Sequence, residues 1–391
     1  MDLGFAQRVE KLADRGLARS LVTTGKCRGS SITVDGHPCL NLSSNDYLGL
    51  AADSDLLQAF YHDLEQVENP VERFGTGAAS SRLLTGNRPV YAQLEERLAA
   101  LYRRPALVFN SGYHANIGIL PALAGRGDLI LADKLCHASL IDGMRLSRAR
   151  VRRYRHADYG HLARLLAAER HGYANVFVVT ESVFSMDGDR ADLARLVELK
   201  KRYDCLLYVD EAHAVGVFGH CGLGCAEEEG CLQEVDLLVG TLGKALASLG
   251  AFVVCSESVR EMLISTMRSL IFTTALPPVN ISWTLVTLEK MTAMAKDRKR
   301  LRAMAGQLRG ALAKAGFATG GDSQIVPVII GEAEKTIEAA AQLREQGILL
   351  LPIRPPTVPP GTARFRISLT AALTREEIKD LPVLLKKAVE R

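Results

Sequence analysis

The sequence predicts an α/β protein: a central, mostly parallel seven-stranded sheet flanked by helices, followed by a smaller α+β carboxy-terminal domain. Three observations predict it. From about residue 105, short apolar runs alternate with helical patterns, the rhythm of strand–helix–strand units. Beyond Pro277-Pro278 that rhythm gives way to a long helical region, 280–316, and then to shorter segments. At 391 residues the chain exceeds one typical core. The expected division is 1–45, an amino-terminal helix and hairpin packing with the small domain; 46–280, the large domain; and 281–391, the small one.

In chain order, residues 1–30 read as a helix and a loop carrying Arg15 and Arg19. SITVDGHPCLNL (31–42) reads as a hairpin turned at Asp35-Gly36. Asn45 and Asp46 in SSNDYLGL are turn formers by type. RFGTGAASSRLLTGN (73–87) is dense in Gly, Ser and Thr, but Gly75-x-Gly77 lacks the third glycine of a dinucleotide fingerprint. Strands are expected at ALVF (106–109), LILAD (129–133), after Ala149, NVFVVTES (175–182), CLLYVD, LLVGT and AFVVCS. After ALVF a helix opens at NSGYHAN, where the amides of Gly112 and Tyr113 would suit a phosphate. After LILAD comes His137, whose imidazole could stack on a flat ring or simply cap a helix. TESVFSMDGD places Glu181, Ser185 and Asp187 at the same sheet edge as Asp210.

The chemistry concentrates in DLLVGTLGKALASLGAFVVCS, 236–256, an apolar stretch with one charge, Lys244. A membrane helix is excluded by that central lysine and by Gly240, Gly243 and Gly250. Two buried strands joined by a tight loop fit better, with Lys244 in apolar surroundings that favour its neutral, nucleophilic amine. Upstream, a buried strand ends in Asp210, with His213 three positions later. A lysine to condense with an aldehyde, a carboxylate to keep a pyridine nitrogen protonated and a histidine for the ring hydroxyl are the parts that hold pyridoxal 5'-phosphate. Thr241, three before the lysine, could reach its phosphate. Singly, a solvated lysine, a capping aspartate and a loop histidine are the commoner fates of such residues. Their combination favours the cofactor.

Composition narrows the partners. With 48% hydrophobic and 24% charged residues and net charge +4, the chain resembles an ordinary soluble enzyme without a polyanionic partner. The arginines between 145 and 155 lack an aromatic platform, so neither nucleic acid nor membrane is expected as a partner; an acidic carrier or CoA phosphates stay open for that stretch. The charged amino terminus has no apolar signal core, so the cytoplasm is expected. The eight cysteines form no disulfide framework, and His220, Cys221, Cys225 and Cys231 lack zinc-ligand spacing; no metal is expected.

LNLSSNDYLGL, NSGYHAN, DKLCHASLIDG, TESVFSMDGD, VDEAHAVGVFG, GTLGKALASLGAF and IRPPTVPPGTARFRISLTAA together resemble the α-oxoamine synthases over almost the whole chain. These are fold-type-I pyridoxal-phosphate transferases that join an amino acid to an acyl thioester with loss of CO2. The resemblance implies Lys244 bonded to the cofactor, Asp210 at its ring nitrogen, His213 and Ser185 near its ring oxygen and His137 stacked on it. It places Gly112, Tyr113 and Thr241 at the phosphate, and Arg19, Asn45, Thr357 and Arg366 at substrate. It also implies a homodimer in which Thr273 and Thr274 reach the partner's phosphate. AASSR (78–82) departs from the more glycine-rich run of many relatives. Members making aminolevulinate, aminoketobutyrate or ketosphinganine share the stretch around the lysine. The IRPPTVPPG loop instead resembles that of members using L-alanine and a pimeloyl thioester, and the resemblance implies that pair here, the acyl group carried on CoA or on an acyl carrier protein. An aminotransferase would use the same lysine and aspartate without a thioester.

Overall fold

The computed structural model describes residues 4–14, 17–19, 21–70 and 75–390. Arg15 and, in the glycine-rich run, Arg73 and Phe74 lie outside the described residues. The chain divides into a larger unit, Ser54–Ser185 with Arg190–Arg298, and a smaller one, Met1–Asp53 with Met186–Asp189 and Lys299–Arg391.

The larger unit is built on seven strands: β1 (Ala106–Phe109), β2 (Leu129–Asp133), β3 (Arg150–Tyr154), β4 (Val176–Glu181), β5 (Leu206–Asp210), β6 (Leu237–Thr241) and β7 (Ala251–Val254). Their order across the sheet is β1-β7-β6-β5-β4-β2-β3. Only β7 runs against its neighbours; every other pairing is parallel, as the sequence predicts. Strands of a parallel sheet covered on both faces read as near-continuous apolar runs, and β1, β2, β4, β6 and β7 are buried at every position. The edge strand β3 differs: its sequence is RVRRY and only Tyr154 is buried. Arginines there keep the open edge soluble and unpaired, and Arg152 meets Glu169 at 3.0 Å.

Alternate strand residues, among them Leu107, Phe109, Ile130, Phe177, Val239 and Val253, share one core with residues of two helices, α1 (Gly112–Leu123) and α2 (Ala138–Leu146). The helices approach closely. A Cβ built on Gly143 of α2 would lie 2.2 Å from the Asn116 carbonyl oxygen of α1, so only glycine fits. Gly240 is constrained in the same way: it faces Phe252 across the β6–β7 pair, and a Cβ there would sit 2.3 Å from the Phe252 ring.

The helical region read at 280–316 consists of two helices, Pro278–Ala293 and Ala295–Lys314. In the smaller unit the expected hairpin forms between Ser31–Val34 and His37–Asn41, with Asp35 and Gly36 both at positive φ, 50° and 83°. Ile325–Gly331 pairs antiparallel with Ala363–Ser368, the strand fed by the proline-rich loop.

Overpacking at the β6–β7 pair is directly testable. Gly240→Ala is expected to destabilise the protein by about 1–3 kcal/mol, read as a lowered midpoint of chemical denaturation. An unchanged midpoint would show that Phe252 moves aside without cost.

Candidate active site

The parallel strands deliver their last residues to one edge of the sheet: Asp133 from β2, Glu181 from β4, Asp210 from β5 and Thr241 from β6. This carboxyl edge is where open α/β sheets hold ligands. Asp210 is only 5% exposed, and both its oxygens are engaged. Oδ2 accepts from Asn116 Nδ2 at 2.7 Å and Oδ1 from the Ala212 amide at 2.9 Å. The following turn carries His213, itself buried, whose Nε2 lies 2.8 Å from Lys244 Nζ. Lys244 sits in the tight turn between β6 and β7, as its sequence predicts. The residue is half-buried, and its surroundings are not wholly apolar, since the imidazole of His213 meets the amine.

His137 caps α2. Its ring Nδ1 lies 2.7 Å from Ser139 Oγ and accepts the Ser139 amide at 3.2 Å, while its own amide donates to Glu181 Oε1 at 2.5 Å. Solvent reaches the ring, yet the protein packed around it holds its pKa below the ordinary imidazole value by desolvation. Glu181 is 3% exposed; burial, reinforced by Asp210, pushes its carboxyl well above the usual range.

At the start of α1, Ser111 caps the His114 amide. That cap leaves the first amides of the helix, Gly112 and Tyr113, for an anion. Thr241 Oγ1 faces the same turn, 3.8 Å from a Cβ built on Gly112. Ser185 is half-buried, four residues beyond the end of β4. Asn110 Nδ2 donates to the Thr274 carbonyl at 2.7 Å and approaches Thr273 Oγ1 at 3.5 Å. The donor set fits pyridoxal phosphate: an accessible amine, a buried carboxylate, an imidazole with solvent access and the positive end of a helix.

The smaller unit gathers the remaining candidates into two clusters. Arg366 donates to Asn45 Oδ1 and to Tyr47 Oη, both at 3.0 Å. Arg364, on the same strand, is instead committed to Asp187 at 2.5 Å, so the two arginines differ in role. Arg19 donates to Thr357 Oγ1 at 2.9 Å, beside a cavity of about 480 Å³ walled by Leu21, Val22, Leu351 and Ile353 and carrying Arg354.

Sequence reading assigned no role to Asn116, Ser139, Tyr208 or Glu211. The one signal for Asn116 is a polar residue inside the apolar helix GYHANIGILPAL. Glu211 is fully buried. It accepts from Ser182 Oγ at 2.5 Å and from the amides of Cys225 and Ala226 at 3.0 and 2.8 Å, which ties down the loop that carries His213.

The family model for class I and II aminotransferases matches residues 37–382. The chain belongs to the aminotransferase class I and II family. Among curated relatives, the 8-amino-7-oxononanoate synthase of Chlorobaculum parvum is 54% identical over 380 residues, 96% of each chain. That of Haemophilus ducreyi is 50% identical and covers 96% of this chain and 98% of its own. Among solved structures, a serine palmitoyltransferase of S. paucimobilis with a bound PLP–myriocin aldimine superposes with TM-score 0.90 at 30% identity, over 99% of this chain and 97% of that one. An 8-amino-7-oxononanoate synthase of Francisella tularensis superposes at 0.75 with 29% identity, over 90% of this chain and 98% of that one. These matches agree with the resemblance to the α-oxoamine synthases carried by the motifs.

Burial raises the Glu211 pKa from its ordinary 4.5 to about 7. A carboxyl whose pKa is raised by folding binds more protons folded than unfolded, so its contribution is fully present below about 4.5 and is lost as pH rises through about 7. Denaturation midpoints compared across that window should show this loss in the wild type. The slope should flatten in Glu211→Gln, which cannot ionise; an identical slope in both would exclude Glu211 as its source.

Proposed function

We propose that this protein catalyses the decarboxylative condensation of L-alanine with a pimeloyl thioester, giving 8-amino-7-oxononanoate, CO2 and the free thiol, a step of biotin biosynthesis. The observation that carries the reading is the 54% identity to an 8-amino-7-oxononanoate synthase over 96% of both chains. When bound, pyridoxal phosphate supplies an aldehyde that captures amines and a protonated ring that withdraws electrons from the carbon beside the nitrogen. Asp210 would hold the proton on the ring nitrogen. Lys244 would hold the aldehyde carbon, and its amine would move the proton at the alanine Cα; His213, 2.8 Å away, orients that amine. Ser185 and His213 would hold the ring oxygen, and His137 would cover the ring. The amides of Gly112 and Tyr113 and the Thr241 hydroxyl bind the phosphate. Thr273 and Thr274 do so for a partner subunit in a homodimer.

In the smaller unit, Arg366, braced by Asn45 and Tyr47, suits the alanine carboxylate. The cavity beside Arg19 and Thr357 combines apolar walls with the guanidinium groups of Arg19 and Arg354. That suits an acyl chain ending in a carboxylate better than a wholly apolar palmitoyl chain.

Mass spectrometry of the products from alanine and a pimeloyl thioester, presented on CoA and on an acyl carrier protein, tests the proposal. The expected product is 8-amino-7-oxononanoate, with one thiol and one CO2 released per turnover. Faster turnover of serine with a palmitoyl thioester, or of glycine with acetyl- or succinyl-CoA, would overturn the substrate assignment. Conversion of the cofactor to its amine form without thiol release would indicate an aminotransferase.

A further inference from the structure

A chain of buried hydrogen bonds joins Asp210 to His137 through two residues with no role so far. Asn116 is 2% exposed and Ser139 1%. Tyr208 Oη donates to Asn116 Oδ1 at 2.6 Å, and Asn116 Nδ2 donates to Asp210 Oδ2 at 2.7 Å and to Ser139 Oγ at 2.9 Å. The amide orientation is forced. Reversed, it would press its oxygen against the Asp210 carboxylate, two acceptors facing each other. Ser139 Oγ, which accepts from Asn116, lies 2.7 Å from His137 Nδ1. The Ser139 backbone amide points at the same nitrogen from 3.2 Å. An amide N–H can only donate, so Nδ1 accepts from it and carries no proton; the Ser139 hydroxyl then becomes a second donor to Nδ1, and the neutral ring bears its proton on Nε2. The glycine at 143 lets α1 and α2 approach closely enough for this linkage.

We propose that Asn116 and Ser139 are positioning residues: they lock His137 in the tautomer that offers Nε2–H to the substrate's acyl carbonyl oxygen, and they tie that ring to Asp210. The inference rests on the reaction proposed above and deepens it. The other tautomer would present a lone pair to an oxygen that gains negative charge during attack at the acyl carbon. Nε2–H stabilises that charge from a fixed position. Glu181 completes the support by holding the His137 amide.

Two measurements test it. In ring-15N-histidine protein without cofactor, with His137 assigned by its loss in His137→Asn, the proton is expected on Nε2; a proton on Nδ1 would overturn the proposal whatever the substrate. In holoenzyme kinetics, Ser139→Ala is expected to lower kcat about fivefold, the effect of one neutral hydrogen bond. Ser139→Thr, which keeps the hydroxyl, should restore it. In a His137→Ala background the Ser139→Ala effect should vanish; an equal loss in both backgrounds would make Ser139 merely structural and overturn its assignment. If the alanine and pimeloyl assignment itself fails, the ring measurement still decides the tautomer.

Discussion

The site depends on keeping the carboxylate of Asp210 buried at the end of a central strand. An unpaired carboxylate so enclosed would be costly. Here Asn116 and the Ala212 amide occupy its oxygens, and the sheet register sets Glu181 directly beside it. Asn116 can reach Asp210 because α1 begins immediately after β1 and is pressed onto α2 at Gly143. Parallel topology, close helix packing and one amide together fix the geometry on which the cofactor assignment rests.

Electrostatics reinforce that arrangement. Asp133, Glu181 and Asp210 end adjacent strands, and three carboxyl groups so close cannot all ionise at no cost. Glu181 yields, with burial and Asp210 pushing its carboxyl well above the usual range. Asp133 accepts from the Ala157 amide at 3.0 Å and lies 2.9 Å from the imidazole of His156. Lys244 favours the ionised form of Glu181 and opposes protonation of His137, so the amine is an electrostatic member of the cluster as well as a neighbour of His213. An edge rich in acids with a lysine among them is suited to a cofactor whose ring must hold a proton.

The sheet was legible because its strands are apolar runs punctuated by helical patterns. The Lys244 turn was legible because a lone charge flanked by glycines between two such runs has to sit where the chain reverses. Asp210 and His213 followed from their place at a strand end. Asn116 and Ser139 did not, since a polar residue near a helix start reads as solvated until tertiary packing places it against a carboxylate 94 positions away. The two-residue period of a strand puts Arg364 and Arg366 on one face and cannot separate them. What distinguishes them is Asp187, which meets Arg364 from a short segment far away in sequence. The arginine run at 145–155 resolved into an edge strand and its flanks, where exposure and partners such as Glu169 account for much of its charge.

The central claim is that Asp210 faces the ring nitrogen of pyridoxal phosphate and keeps it protonated. The most direct measurement is 15N NMR of the holoenzyme assembled with cofactor labelled at that nitrogen. A protonated nitrogen in the wild type that loses its proton in Asp210→Asn is the predicted result. An unprotonated nitrogen in the wild type would contradict the account.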